Sequence, residues 1–338
     1  MKKYFLIFGL LLLSTFLYSQ ISVDSLVEVG IQYHDNGEFI QAIETYKTAL
    51  DIEPNSPLVN YEIALTYMYS GDYQNAIKHS DKVIKRNDKY LLQAYLVKGS
   101  CLDYLGKTKE SIKLFKKGIK KFGDDHLLYY NLGYNYYNIK EFDKAEEAFI
   151  KAINTKANHA SSHLFLGYLM YEKNQRVQSL LSLHFFLLLE PNSERSQNAY
   201  NLLQSQLSGG VERNQEEPGK IDIFLSPDQL KSEFGTIDMM ITILEASKSL
   251  EENEGKSDDQ LFIENTTSFF KILGEHKTKE NTGFWWDFYV PFFYLIAESE
   301  HIDTYCYYIS QSTKETAADW LKENEKRVTD FAKWLSEE

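Results

Sequence analysis

The stretch His126–Ala160, HLLYYNLGYNYYNIKEFDKAEEAFIKAINTKANHA, holds two helical patterns in succession. In its first half, apolar or small residues recur at positions i, i+3, i+4 and i+7 from Tyr129 to Tyr136. The same spacing recurs in its second half from Ala145 to Ala152. Each spacing places these residues on one face of a helix. The stretch therefore predicts two helices joined by a short polar turn, which is a helical hairpin.

Small residues at one helix position show that the hairpin recurs along the chain. They are Gly30, Ala64, Gly99, Gly133 and Gly167, separated by 34, 35, 34 and 34 residues. A small side chain lets two helix backbones approach closely. Because one hairpin cannot bury its apolar face alone, a fixed period of helix pairs predicts a stacked solenoid.

This period, together with its residues, resembles the tetratricopeptide repeat family. The first copy shows the family's residues in order and spacing: Gly30, Tyr33, Gly37, Phe39, Ala42, Tyr46, Ala49 and Pro54. The resemblance covers roughly Ser22 to Leu207. Lys140 and Asn174 replace the glycine between the two helices in the last two copies. The resemblance implies a curved all-α solenoid whose concave groove binds other molecules.

The chain is expected to contain two helical domains. Residues 23–207 hold five hairpins and a capping helix, Glu194–Leu207, and residues 208–220 form a linker rich in glycine, proline and charge. Residues 221–338 are predicted to form an irregular helical domain for which no family is identified. Within it, Ile221–Leu225 has the pattern of a short strand, for which the sequence indicates no partner.

Helical patterns fill the rest of this second domain. They lie at Asp228–Phe234, opened by a Ser226-Pro227 cap, and at Ile237–Leu250, Gln260–Leu273, Phe284–Glu298, Ile302–Gln311 and Glu315–Leu335. The aromatic run at Phe284–Glu298 is typical of a buried helix kinked by Pro291, rather than of a platform for sugar rings.

The second helix of the fifth hairpin, beginning at Ser179, reads SLLSLHFFLLLEP and is apolar on nearly every face. An outer helix of a solenoid normally presents a polar face to water, and a helix that is apolar all round is buried all round. We therefore expect the C-terminal domain to dock on the fifth hairpin.

The N-terminus, MKKYFLIFGLLLLSTFLYSQ, has the pattern of a cleaved secretory signal peptide over residues 1–20. Its apolar run, Tyr4–Leu17, is shorter than the ~20 residues of a membrane span. The mature chain is expected to be periplasmic or secreted, without membrane insertion. Cys101 and Cys306 would then meet an oxidising space, but their apolar surroundings favour two buried thiols over one disulfide.

Acidic residues dominate the C-terminal part of the chain. Residues 211–338 contain 27 acidic and 13 basic residues, which argues against nucleic acid and anionic membranes as partners. The third hairpin is a local exception, with seven lysines between Lys107 and Lys121. Such a run is usually the solvated face of a helix, and the alternative is a docking surface for an acidic partner.

No pattern in the sequence requires a cofactor, a metal or a catalytic site. His159 and His163 have the spacing of two metal-binding imidazoles, but no glutamate lies between them. Glu298, Glu300, His301 and Asp303 form a polar cluster that suits acid–base chemistry, yet also suits ordinary helix capping. The chain is therefore predicted not to be an enzyme, with a site near Glu298–Asp303 as the alternative.

The family's geometry implies that one stripe of each inner helix faces the groove. The candidate binding residues on this stripe are Tyr61, Leu65, Met68, Tyr130, Tyr134, Tyr137, Leu164, Tyr168 and Tyr171. The stripe lacks the lysine, arginine and asparagine with which one groove type of the family holds a carboxylate. We expect an exported adaptor that binds a protein or peptide segment on this tyrosine-rich wall. The alternatives are a glycan or another ligand in the same groove, or aromatics covered by the chain's own C-terminal domain.

Overall fold

The computed structural model describes residues 22–87, 89–213, 221–224, 231–250 and 253–337. The chain divides into two compact units between Asn135 and Tyr136. The first unit contains α1 (Val23–Asp35), α2 (Phe39–Ile52), α3 (Pro57–Tyr69), α4 (Tyr73–Arg86), α5 (Leu91–Tyr104), α6 (Thr108–Phe122) and the larger part of α7 (His126–Asn138). The all-α repeat architecture predicted from the sequence is thereby confirmed.

Helices also dominate the second unit. Its repeat helices are α8 (Phe142–Thr155), α9 (Ala160–Glu172), α10 (Arg176–Leu189) and α11 (Glu194–Leu207). Two short strands follow, β1 (Val211–Arg213) and β2 (Ile221–Ile223). The remaining elements are α12 (Gly235–Ser247), α13 (Asp258–His276), a π-helical turn (Trp285–Tyr289), α14 (Val290–Glu298), α15 (Ile302–Ser310), α16 (Glu315–Glu323) and α17 (Glu325–Glu337).

Close helix contacts hold the hairpins of the first unit together. A Cβ atom added to Gly30 would lie 2.4 Å from Cε1 of Tyr46, and one added to Gly99 would lie 2.2 Å from Cζ of Phe115. Both aromatic side chains are fully buried. Each glycine therefore makes room for the aromatic ring of its partner helix, which explains why small residues recur at this position.

The turns inside the hairpins share one left-handed backbone conformation. Gly37, Gly71 and Gly106 have φ values of 77°, 84° and 73°. At the corresponding places of the later hairpins, Lys140 and Asn174 have φ values of 60° and 56°. Residues other than glycine, asparagine and aspartate are disfavoured in the left-handed conformation. The turn geometry is thus imposed by the packing of the two helices, even where the sequence lacks glycine.

The fifth hairpin is covered within the second unit, as predicted. Every residue of α10 from Val177 to Leu187 is buried. Its Phe185 ring lies 5.3 Å from that of Phe288 and 5.0 Å from that of Phe292. The C-terminal elements are therefore the cover that an apolar outer helix needs, and they form one compact unit with this hairpin.

Two buried histidines connect the fifth hairpin to its cover. In α9, His163 Nε2 donates to the Ala157 carbonyl (2.7 Å), so Nδ1 accepts the hydrogen bond of the Tyr289 hydroxyl, also 2.7 Å away. In α10, His184 Nδ1 lies 2.9 Å from the Tyr305 hydroxyl. Burial lowers the pKa of each imidazole to about 3. Both histidines are therefore neutral in the folded chain.

The structure corrects the prediction that the strand at Ile221–Leu225 has no partner. Val211–Arg213 pairs antiparallel with Ile221–Ile223, with Glu212 opposite Asp222. The partner thus comes from the predicted linker, whose composition hides it. The predicted signal peptide and the Ser226-Pro227 cap lie outside the described residues. Of the helix predicted at Asp228–Phe234, residues 231–234 form a turn.

A π-helical turn replaces the simple kink expected at Pro291. The Val290 N–H bonds to the Trp285 carbonyl, five residues earlier. Proline has no N–H, and its ring would clash with the carbonyl four residues before it in a regular helix. The wider turn at Trp285–Tyr289 accommodates this ring. Trp286, Tyr289 and the side chains of α14 that face the core are buried, as predicted.

Further observations concern the membrane and the cysteines. None of the described helices combines the length and the apolar character that a membrane crossing requires. Cys101 and Cys306 are both buried and unpaired, as predicted. Burial raises the pKa of the Cys101 thiol to about 12, which makes it a poor nucleophile near neutral pH.

Replacing Lys140 by glycine should stabilise the fold, because glycine adopts the left-handed conformation without the steric cost that lysine carries. We expect the free energy of unfolding to rise by about 0.5–1 kcal/mol. Asn174→Gly is the matched control and should give a smaller gain, since asparagine tolerates this conformation. Urea unfolding followed by circular dichroism measures both. A loss of stability in Lys140→Gly would contradict this. It would show that contacts of the lysine side chain stabilise the fold by more than its left-handed backbone conformation destabilises it.

The buried histidines predict a loss of stability in mild acid. The unfolded chain protonates each imidazole near pH 6.5, whereas the folded chain does so only near pH 3. Between these values the unfolded state binds more protons, so stability falls as the pH falls, by ~1.4 kcal/mol per histidine between pH 7.5 and 5.5. Urea titrations at pH 7.5 and 5.5 measure the stability lost on acidification. The His184→Gln variant should lose less than the unchanged protein, because it lacks one of the two buried imidazoles. The exposed control His276→Gln should lose as much as the unchanged protein, and equal losses in the two variants would contradict the assignment.

Candidate binding surface

In the first unit, the candidate residues of α3 lie on a half-buried face. Tyr61, Leu65 and Met68 pack against the core of this unit while part of each side chain remains accessible. The ring of Tyr61 stacks on that of Tyr90, with centroids 5.5 Å apart and planes 8° from parallel. This stacking fixes the orientation of an accessible aromatic ring before any partner is present.

The tyrosines of α7 in the first unit have the same partial exposure. Tyr130 and Tyr134 are half-buried, and their ring centroids lie 6.5 Å apart with a 32° tilt. Beside them, Ser100 Oγ donates to Asn131 Oδ1 over 3.3 Å. Asn131 is one position outside the predicted stripe, and its amide adds a polar group that the sequence analysis missed.

A carboxyl group next to Tyr61 was also missed. Burial, followed by repulsion from the Asp35 carboxylate, raises the pKa of Glu62 to about 7. Nearby, His34 Nδ1 lies 2.8 Å from Thr66 Oγ1, and Thr66 Oγ1 donates to the Glu62 carbonyl. Because the single hydroxyl hydrogen of Thr66 is used in that bond, His34 must be the donor to Thr66. A carboxyl group that is partly protonated near neutral pH therefore lies next to the aromatic side chain of Tyr61.

In the second unit, the candidate face differs from the prediction by one residue. Leu164 is 2% exposed, so it belongs to the core and does not line an accessible surface. Its neighbour Phe165 is half-buried, and its ring lies 6.2 Å from that of Tyr137 and 5.9 Å from that of Tyr168. The accessible aromatic row of this unit therefore contains Phe165 in place of Leu164.

This row ends at a cavity of about 340 Å³ beside Tyr171. Two aromatic side chains line it and are accessible, Tyr171 at 49% exposure and Phe224 at 57%. Asn174, Ser205, Gln206, Gly209 and Gly210 also line it. Cavities of this size that combine apolar walls with a few polar groups are typical of binding sites.

A buried guanidinium fixes the geometry of this cavity. Arg176 also lines it, although its side chain is only 9% exposed. Its Nη1 donates to Asp238 Oδ1 (3.0 Å) and Thr242 Oγ1 (2.8 Å), and its Nη2 donates to the Leu207 carbonyl (2.8 Å). Burial raises the pKa of Asp238, although the adjacent guanidinium opposes this effect. These bonds join α10, α11 and α12, so the walls of the cavity are held rigidly.

The other candidate sites contain side chains with structural roles. His159 Nδ1 lies 2.7 Å from Ser162 Oγ at the start of α9, whereas both ring nitrogens of His163 bond to the interior of the chain. No group of three or more His, Cys, Asp or Glu within the described residues is placed to hold a metal ion.

Near Glu298–Asp303, the charged groups are paired with cations of neighbouring helices. Glu298 pairs with Lys271 at 2.9 Å, and Asp303 pairs with Arg327 at 2.6 Å. The ring of His301 lies 5.3 Å from that of Trp334. These contacts join α13, α14, α15 and α17.

Models of known protein families match the repeat region of the chain. A family model described as "TPR repeat" matches residues 30–71, and one described as "Tetratricopeptide repeat" matches residues 58–90, 92–120 and 127–159. The fifth hairpin and the C-terminal elements lie outside these matches.

Curated relatives show the same likeness. The TPR repeat-containing protein MJ1428 of Methanocaldococcus jannaschii is 27% identical over 126 residues, 37% of this chain and 22% of that protein. The anaphase-promoting complex subunit CDC16 of Saccharomyces cerevisiae is 27% identical over 184 residues, 54% of this chain and 18% of that protein. The chain thus spans about a fifth of the length of these two relatives.

Among solved structures, TTC0263, a thermophilic TPR protein of Thermus thermophilus, is 19% identical with a TM-score of 0.48, covering 55% of this chain and 99% of that one. The family models match four successive copies of the hairpin described above. Over residues 30–159, this chain therefore belongs to the tetratricopeptide repeat family.

Proposed function

We propose that this protein is an interaction scaffold that binds an extended or helical segment of a partner protein on its tyrosine-rich faces. The observation that carries the proposal is the cavity beside Tyr171, where two accessible aromatic side chains flank a rigid polar base. A tyrosine offers a large, stiff contact area at little entropic cost, and its hydroxyl group can hydrogen-bond. Such side chains dominate the energetics of protein interfaces.

The half-buried tyrosines of the first unit support the same function. Their buried parts anchor them to the core, so that little conformational entropy is lost when a partner covers the remainder. The raised pKa of Glu62 adds a group that stays partly protonated near neutral pH. A protonated carboxyl both donates and accepts hydrogen bonds, which suits the backbone of an extended peptide.

Export of the mature chain is a further part of this proposal. It rests on the apolar run Tyr4–Leu17 behind two lysines. We propose that the scaffold works in the periplasm or outside the cell, without insertion in the membrane. Mass spectrometry of protein purified from its source should find a mature N-terminus near Gln20 or Ile21. Soluble cytoplasmic protein that retains Met1 would contradict export.

Removing the exposed tyrosine should weaken partner binding without weakening the fold. Tyr171→Ala removes an anchor from the cavity, and we expect a loss of roughly 2 kcal/mol or more in binding free energy. The free energy of unfolding should change by no more than about 0.5 kcal/mol, because the side chain is largely exposed. The control is Ile40→Ala, which removes an apolar side chain of 72% exposure from α2.

The partner for this measurement comes from site-specific photo-crosslinking in the source cell. A photoreactive phenylalanine derivative is placed at position 171, or at position 40 as the control. A protein captured only from position 171 is then purified, and its affinity for both alanine variants is measured by calorimetry. Equal losses in Tyr171→Ala and Ile40→Ala, or capture of a glycan in place of a protein, would overturn the proposal.

A further inference from the structure

The first unit contains a second cavity, unrelated to the tyrosine faces. It has a volume of about 480 Å³ and is lined by residues of α4, α5 and α6. Three apolar side chains contribute, Ile77, Leu102 and Leu114, and all three are buried or half-buried. They therefore form the floor of the cavity, which we call the lysine cavity after the residues around it.

Four lysines surround this floor. Lys98 is neutralised by Asp81, with 2.6 Å between Nζ and Oδ1. Lys107, Lys113 and Lys117 are exposed, and no ion pair with a described residue reaches any of them. Glu110 is the single acidic side chain among the residues that line the cavity. The three lysines and Glu110 together give the rim a net charge of +2, in a chain whose net charge is −13.

This arrangement has an electrostatic cost in the free chain. Lys113 and Lys117 are one helical turn apart on α6 and repel each other, which disfavours the helix slightly. Their aliphatic stems cover part of the apolar floor, but an uncharged residue of similar length would cover it without repulsion. An anion bound across the rim would relieve the repulsion and let an apolar group reach the floor.

The lining residues also indicate what kind of anion fits. The bidentate fork of arginine is the side chain best suited to phosphate, and no arginine lines this cavity. Nucleic-acid sites add aromatic side chains that stack on bases, and none lines it either. Carboxylates suit lysine, and two carboxylates one turn apart on a helix match the spacing of Lys113 and Lys117.

We propose that the lysine cavity binds an acidic, amphipathic helical segment of a partner protein. Two carboxylates of that segment pair with Lys113 and Lys117, and one leucine-sized side chain enters between Ile77, Leu102 and Leu114. Because exposed ion pairs alone contribute little, the apolar contact supplies part of the affinity and the lysines supply orientation. This site is separate in residues and in chemistry from the tyrosine faces.

The test uses the full chain and a fluorescein-labelled synthetic helix of fourteen residues. The probe has two glutamates spaced i, i+4 and one leucine on the same face, and fluorescence anisotropy measures its binding. Lys113→Glu with Lys117→Glu should weaken binding at least tenfold. Lys109→Glu with Lys120→Glu is the matched control: it makes the same change in charge on the same helix, at residues that do not line the cavity, and should weaken binding less than threefold.

Two further measurements distinguish binding in the cavity from non-specific electrostatic attraction. A probe whose leucine is replaced by alanine should bind several-fold more weakly, and raising the salt concentration from 50 to 300 mM should weaken the original probe, since salt screens exposed charges. Both double variants should unfold at temperatures close to that of the unchanged protein. Tyr171→Ala should bind the probe normally. Equal losses in the two double variants, indifference to the leucine, or preferential binding of a DNA duplex would overturn the proposal.

Discussion

The burial of α10 is the constraint on which the second unit depends. A helix with apolar residues on all sides has no stable position at the outer edge of a repeat array. Each large apolar side chain left in water would forgo ~1.5–3 kcal/mol. The elements after residue 207 are therefore an integral part of the unit that begins with α8. The division of the chain at Asn135, well before the predicted linker, agrees with this requirement.

Polar contacts determine how this cover sits on the fifth hairpin. Apolar packing alone tolerates several arrangements of similar energy. His163 with Tyr289, His184 with Tyr305, and Arg176 with Asp238 each pair one residue of the hairpin with one of the cover. A buried polar group without its partner is costly, so these pairs disfavour other arrangements. The same contact of Arg176 fixes the wall of the cavity at Tyr171, and the packing of the cover thereby shapes a candidate binding site.

Local periodicity explains which parts of the fold and of the candidate site could be predicted. The spacing of small and apolar residues placed each repeat helix, and the uniform apolarity of α10 indicated its cover. The pairing of Val211–Arg213 with Ile221–Ile223 was not predicted, because a strand of three residues is too short to show a recognisable alternation of apolar and polar residues. A helical stripe identifies side chains only to within one position, which is about 100° of rotation, so Leu164 was assigned to a surface where Phe165 lies. The raised pKa of Glu62 and both cavities depend on several elements at once, and no single segment of the sequence contains that information.

The two proposed surfaces differ in the physics by which they would select a partner. The tyrosine faces lack lysine and arginine on the predicted stripe, and they offer buried area and hydrogen bonds that salt affects little. The lysine cavity offers orientation by charge, which salt weakens and which also speeds encounter with acidic partners. A segment suited to one surface is poorly suited to the other, because an acidic helix gains no charge pairing from tyrosines and meets the carboxyl groups near Glu62. Under the two proposals, the surfaces therefore select chemically different segments, so that one type of segment does not serve both.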